Sequence, residues 1–150
     1  MILLSRRSLL AVAAVVDVAL HARPMPVAAK ALAARHDLPP RHLETLLQNL
    51  VRANVLKGVR GPRGGYELAR ERRRISAGEI VRAAMNEHNE DSATPTPRSR
   101  LVNEVIAPAV QRASNAFLAE LDAISVDDLC RNAEQLAVFN EGVGHGDFTI

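Results

Sequence analysis

Between Asn54 and Ala69 the chain places a turn made of glycine, proline and arginine between two short strand-like runs. Asn54 to Val59 leads in, Arg60, Gly61, Pro62, Arg63, Gly64 and Gly65 form the turn, and Tyr66 to Ala69 leads out. Gly61, Gly64 and Gly65 admit backbone angles that side chains forbid, and Pro62 stiffens the tip. A hairpin that carries arginine on so thin a backbone suits insertion into a nucleic-acid groove.

What comes before the hairpin narrows the choice of fold. Residues 8–22 read as a first helix, with Leu9, Val12, Val16, Ala19 and Leu20 at helical spacing. Pro24 and Pro26 break it. Val27 to His36 is a short alanine-rich second helix, and Asp37 to Pro40 is a turn. The third helix runs from Pro40 to Ala53 on an apolar stripe of Leu43, Leu46, Leu47, Leu50 and Val51. Arg41, His42, Glu44, Thr45, Gln48 and Arg52 lie on or beside its outer face. Two helices, a turn, a third helix and a hairpin make the order of a winged helix-turn-helix. The helix after the turn then enters the major groove, and its N-terminal residues Arg41, His42, Glu44 and Thr45 reach base edges.

The remainder reads as a helical arm. Arg72 to Arg74 form a basic run, either a solvated turn or a phosphate contact. Ser76 with Glu79 has capping-box spacing and starts a fourth helix to Met85. Residues 86–98 are polar, with Pro95 and Pro97, and read as a linker. A long helix follows from Ser99 to Asp122, bent at Pro108. Its apolar face carries Val102, Ile106, Ala109, Ala113, Phe117 and Leu121, and such a helix behind a small head reads as a dimerisation arm. Ser125 caps a last helix from Val126 to Phe139, and residues 140–150 form a glycine-rich tail. The fold class is therefore mainly α with a small two-stranded wing, a winged helix-turn-helix plus a long dimerisation helix. Residues 1–85 are the DNA-binding domain, 86–98 the linker and 99–139 the dimerisation and signal region.

Charge divides along the same line. Residues 1–75 hold 14 Lys/Arg against 5 Asp/Glu, and residues 76–150 hold 5 against 12. A basic half beside an acidic half points to a polyanion-binding module with a second task next to it. Aromatic content is only 3%, so the core is aliphatic. The single cysteine, Cys130, excludes an internal disulfide and a multi-cysteine metal site, and fits a reducing cytoplasm. Ser5, Arg6 and Arg7 before an apolar run mimic a twin-arginine export signal. Asp17 interrupts that run, and a core helix is the better reading. No Ser/His/Asp arrangement, metal-ligand cluster or phosphate-binding loop marks an enzyme, since the glycine loop lacks the P-loop lysine and hydroxyl.

Four segments together resemble the IscR/NsrR/CymR-type bacterial transcription regulators: Val-Asp-Val-Ala-Leu at 16–20, Leu-Pro-Pro-Arg-His-Leu-Glu-Thr-Leu-Leu at 38–47, Val-Arg-Gly-Pro-Arg-Gly-Gly-Tyr-Glu-Leu-Ala at 59–69, and Ile-Ser-Ala-Gly-Glu-Ile-Val-Arg-Ala at 75–83. The resemblance covers about residues 1–135 and implies a homodimeric DNA-binding regulator, most often a repressor, acting on a double-stranded operator in the cytoplasm. It places Arg41, His42, Glu44 and Thr45 where such proteins read bases, and Arg60 with Gly61, Gly64 and Gly65 in the minor-groove wing. It places Ser5, Arg6 and Arg7 where the N-terminus meets phosphate. Arg63 stands where a glycine is usual, which adds phosphate attraction. Many of these regulators hold an iron–sulfur cluster with three cysteines in the segment corresponding to 87–104. Here that segment has no cysteine and offers His88, Glu87, Glu90 and Asp91, so no cluster and no other cofactor is expected. The signal would then be an unidentified small molecule or protein. Two alternatives stay open: a winged-helix protein-interaction module, and an iron–sulfur sensor with atypical ligands.

Overall fold

The computed structural model describes residues 4–85 and 98–139. The linker at 86–97, with Glu87, His88, Glu90 and Asp91, and the tail at 140–150 lie outside the described residues. Among the described residues, six α-helices and a two-stranded antiparallel sheet follow one another in the order the sequence implies.

Helix α1 spans Arg6–His21, two residues earlier than the hydrophobic spacing suggests, because the Ser5 hydroxyl caps it by accepting from the Ser8 amide at 3.1 Å. Ala11, Ala14, Val15 and Val18 put its inner face in the core. Helix α2, Ala29–Arg35, is shorter than expected. Helix α3, Pro40–Arg52, starts with proline in its first turn, where the missing amide costs nothing. Its inner stripe is Leu43, Leu46, Leu47 and Leu50, while Val51 lies at the edge of the apolar arc and stays exposed. Both α2 and α3 end in left-handed residues, Asp37 (φ 51°) and Asn54 (φ 58°). Each end is closed by a pair of backbone bonds of the Schellman type: Asp37 to Ala34 and Leu38 to Ala33, then Asn54 to Val51 and Val55 to Leu50.

Strands β1, Leu56–Val59, and β2, Gly65–Leu68, pair in the register Leu56 with Leu68 through Val59 with Gly65. Tyr66 exchanges both backbone bonds with Val27, at 2.9 and 2.8 Å, so the wing is tied to the segment leading into α2. Gly65 is required there, because a Cβ would collide with the Val27 carbonyl.

A 3₁₀ turn, Arg72–Arg74, precedes buried Ile75 and helix α4, Ala77–Met85. Ser76 and Glu79 complete the expected capping box at 3.0 and 3.1 Å. The long helix answers Pro108 with a π-helical turn, Val102–Ile106, leading into helix α5, Ala107–Asp122. Helix α6, Val126–Gln135, carries a capping box between Ser125 and Asp128. It ends four residues earlier than the sequence suggests, because Ala137 turns left-handed (φ 52°) and its amide and that of Val138 fold back onto Glu134 and Ala133. Val126 and Cys130 join the same core cluster as Val15, Leu47 and Ile80, so α6 packs into the head rather than trailing from it.

Candidate nucleic-acid interface

The leucine stripe of α3 faces inward, so its polar residues face out together. Arg41, His42, Glu44, Thr45, Gln48 and Arg52 are all exposed. Among the described residues, none of their side chains enters a hydrogen bond or ion pair within the chain. Glu44, Thr45, Gln48, Asn49 and Arg52 border a shallow polar cleft of about 310 Å³ along the helix. His42 lies toward α1 instead and shares a cleft of about 220 Å³ with Arg7, Leu10 and Leu38. That contact brings the N-terminal turn of α1 next to the start of α3: Ser5 caps α1, Arg6 is exposed and Arg7 is half-buried.

The wing presents a second set. Arg60, Gly61 and Arg63 are exposed at its tip, and neither arginine has a partner within the chain among the described residues. Gly61 adopts φ 116°, a conformation L side chains rarely reach, and this lets the turn close. Gly64 bonds back to the Gly61 carbonyl at 2.9 Å, and a Cβ there would strike the Val59 carbonyl. Lys57 and Glu67 pair across the strands at 2.8 Å, so the wing's stem is internally neutral while its tip is not.

The sequence reading missed what aims α3. Asp17 is fully buried on α1. Arg35, the last residue of α2, donates to its carboxylate through Nε at 2.8 Å and Nη2 at 2.6 Å. His36 Nε2 lies 2.9 Å from the same carboxylate, and His21 Nδ1 lies 3.1 Å away. The hydrogen bond to Asp17 raises the Arg35 guanidinium above its ordinary range. This clamp fixes the end of α2 immediately before the turn into α3. A carboxylate inside an apolar helix face needs a cation opposite, and Arg35-His36 was the available pair.

Elsewhere arginine is spent internally. Arg72 lies 2.6 Å from the buried Asp127 carboxylate, with Arg131 at 3.0 Å and Arg73 at 3.8 Å. Arg74 stands 4.0 Å from Glu71. Within the basic run Arg72 holds α6 against the 3₁₀ turn, while Arg73 and Arg74 remain largely exposed, at 82% and 78%, with only distant carboxylate neighbours. Arg82 forks onto Asp122 at 2.6 and 2.9 Å, joining α4 to the end of α5. Gly78 leaves room for this, since a Cβ would meet the Asp122 carboxylate. Cys130 is buried, and burial pushes its thiol up, with Arg72 pulling weakly the other way. A thiol held in that form is a packing residue rather than a nucleophile.

The arm lacks intramolecular cover. No residue of α5 is buried. Of the expected interface residues, Ile106, Ala109 and Ala113 are exposed, and Val102, Phe117 and Leu121 are half-buried. Leu101, Val105 and Val110 are exposed too. Val105 lies three residues beyond Val102 and Val110 four beyond Ile106, so they widen the same apolar face. An apolar groove of about 630 Å³ opens between α1, α4, Leu121 and α6, lined by Leu9, Val12, Val16, Val81 and Leu129 among others. No helix among the described residues is long and apolar enough to cross a membrane.

Comparison with known proteins gives a consistent result. The sequence profile of the Rrf2 family, described as an iron-dependent transcriptional regulator, matches residues 4–132. A protein of Synechocystis sp. named as an HTH-type transcriptional regulator is 34% identical over 146 residues, covering 93% of this chain and 96% of its own. The HTH-type transcriptional regulator IscR of Xenorhabdus nematophila is 30% identical over 129 residues, 85% of this chain and 79% of its own. Among solved structures, IscR of T. potens superposes with a TM-score of 0.68 at 31% identity, covering 89% of each chain. CymR, the global cysteine regulator of B. subtilis, superposes at 0.67 with 25% identity, covering 88% of this chain and 98% of its own.

Proposed function

The chain belongs to the Rrf2 family of DNA-binding transcriptional regulators, and from that we propose that it works as a homodimeric repressor in the cytoplasm without catalysing a reaction. Its reading elements are α3 and the wing. The observation that carries this is the set of unpartnered polar side chains on the outer face of α3 and at the wing tip, in a chain whose other arginines mostly end on carboxylates. Arg41, Glu44 and Thr45 have the donors and acceptors to address base edges. Arg60 projects from a hairpin tip narrow enough for the minor groove. Ser5, Arg6, Arg7 and Arg63 take phosphate, with His42 bridging the N-terminal turn and α3.

Homodimerisation is supported by the exposed apolar side chains Leu101, Val105, Ile106 and Val110 and by the open groove beside α1. An apolar surface of this kind on a soluble chain calls for a partner, and a two-fold dimer matches a two-fold operator.

A thiolate-held iron–sulfur cluster does not fit the donor set. The chain has one cysteine, and it is buried behind Arg72 on α6. Among the described residues no group of three His, Cys, Asp or Glu converges as metal ligands. The signal is therefore proposed to be a small molecule or a partner protein.

The test is a gel-shift of the purified chain against genomic fragments at moderate salt, with mass measured by light scattering. A two-fold mass and preferential retention of particular fragments are expected. Val110→Glu should give a monomer that binds those fragments at least tenfold more weakly. Retention without preference among fragments, or a wild-type monomer, would overturn the reading.

A further inference from the structure

The outer face of α3 extends beyond its first turns. At about 100° per residue, Gln48 lies roughly 20° and Arg52 roughly 20° from Arg41 around the helix axis, one on each side. Glu44 is displaced by roughly 60° and His42 by roughly 100° on the same count. The direction opposite the buried Leu43, Leu46, Leu47 and Leu50 therefore runs through Arg41, Gln48 and Arg52. Both later residues are exposed, and neither side chain has a partner within the chain among the described residues.

We propose that Gln48 is a specificity-determining residue that reads an adenine in the major groove, with Arg52 anchoring the adjoining phosphate. The proposal rests on the reading of α3 as the groove-facing helix. Along the helix Gln48 stands about 10 Å beyond Arg41, at 1.5 Å per residue. That is about three base-pair steps at 3.4 Å each, so both residues fall within one half-site when the helix lies along the groove. The carboxamide offers one acceptor and two donors, the pattern that matches adenine N6 and N7 with two bonds. Among the described residues nothing in the fold bonds to this side chain. Arg52 lies about 6 Å further along, where a straight helix leaves the curved groove and meets the backbone. Its guanidinium is without a carboxylate partner and suits a phosphate oxygen.

The experiment enriches a randomised duplex pool on the full chain and on its variants. The wild type should enrich a two-fold motif containing an adenine-preferring position in each half. Gln48→Ala should lower discrimination at that position by about 5- to 150-fold, the range a bidentate side chain and base support, and leave the other positions intact. Gln48→Arg should move the preference at the same position to guanine. Arg52→Ala should keep the motif, weaken binding to every duplex and reduce the salt slope by about one. A Gln48→Ala motif identical to the wild type at every position would overturn the proposal while leaving the groove-facing reading of α3 in place. If the wild type enriches no motif, that reading falls and the proposal falls with it.

Discussion

Arg41, Arg52, Arg60 and Arg63 stand on the face formed by α3 and the wing with no ion pair among the described residues, whereas Arg35, Arg72, Arg82 and Arg131 each end on a carboxylate. The residue type is the same, and what differs is the supply of acid nearby. The acidic second half provides Asp122, Asp127 and Asp128, and these pair with the arginines that join α4, α5, α6 and the 3₁₀ turn. On this face Glu44 makes no ion pair among the described residues, and Glu67 is taken up by Lys57 in the stem of the wing. Pairing would have cancelled the field that a polyanion meets first. The contrast thus separates charges that hold the fold from charges available to DNA, and each prediction below acts on one side of it.

The largest effect is expected at Asp17, where the fold-holding side is fully buried. Asp17→Ala leaves the Arg35 guanidinium without its fork. Removing one member of a buried pair costs about 3–5 kcal/mol, and the partial exposure of Arg35 places this case near the low end. The urea midpoint should fall accordingly. Asp17→Asn keeps one acceptor and should lose less. If Asp17→Ala leaves the midpoint within experimental error, the clamp is not what fixes α2 and the turn into α3.

Arg60→Ala tests the other side. Loss of about 1–3 kcal/mol in affinity for the preferred duplex is expected if the wing arginine contacts a base, with the urea midpoint unchanged because the exposed Arg60 side chain makes no hydrogen bond or ion pair among the described residues. A shift in the midpoint with affinity preserved would erase the distinction between the two classes of arginine.

How much of this could be read from the sequence follows the same division. The leucine stripe of α3, the glycine wing, the Ser76–Glu79 capping box and the Ser125 cap were legible, because each depends on residues within a few positions of one another. So was the outward face, since a helix that buries Leu43, Leu46, Leu47 and Leu50 has only one place for Arg41 and Thr45. The long-range ion pairs were not legible. Asp17 reads as a defect in an apolar run until Arg35 and His36 are brought to it, and Arg72 reads as solvated until Asp127 arrives from α6. The end of α6 was missed for a local reason: Ala137 gives no sequence sign that it turns left-handed where glycine is usual.

A smaller effect is expected at Arg63, at the exposed wing tip. If it meets phosphate, Arg63→Ala should weaken binding to all duplexes alike and reduce the slope of log affinity against log salt by about one. Loss confined to the preferred duplex would move Arg63 from the phosphate class to the base-reading class, beside Arg60.

The smallest effect separates the two sides by pH. The fork from Arg82 lowers the Asp122 carboxyl below its ordinary range, and the Ser125 amide and hydroxyl do the same for Asp128. A carboxyl whose folded pKa is depressed favours the fold when ionised. Its contribution is complete above the unfolded value of about 3.9 and fades as pH falls through the lower folded value. The thermal midpoint should therefore change little through these two groups between pH 8 and pH 5. Both carboxylates are solvent-accessible, so the contribution is modest at any pH. Asp122→Asn should melt below the wild type at pH 7, and the gap should narrow only as pH falls below the ordinary carboxyl range, closing below the lowered folded value, where both chains lack the charge. A gap that does not narrow as pH falls through that range would mean that packing against Gly78, rather than the ion pair, joins α4 to α5. DNA affinity gains nothing from either carboxylate on this account, so at pH 5 it should respond to added salt while the fold barely does.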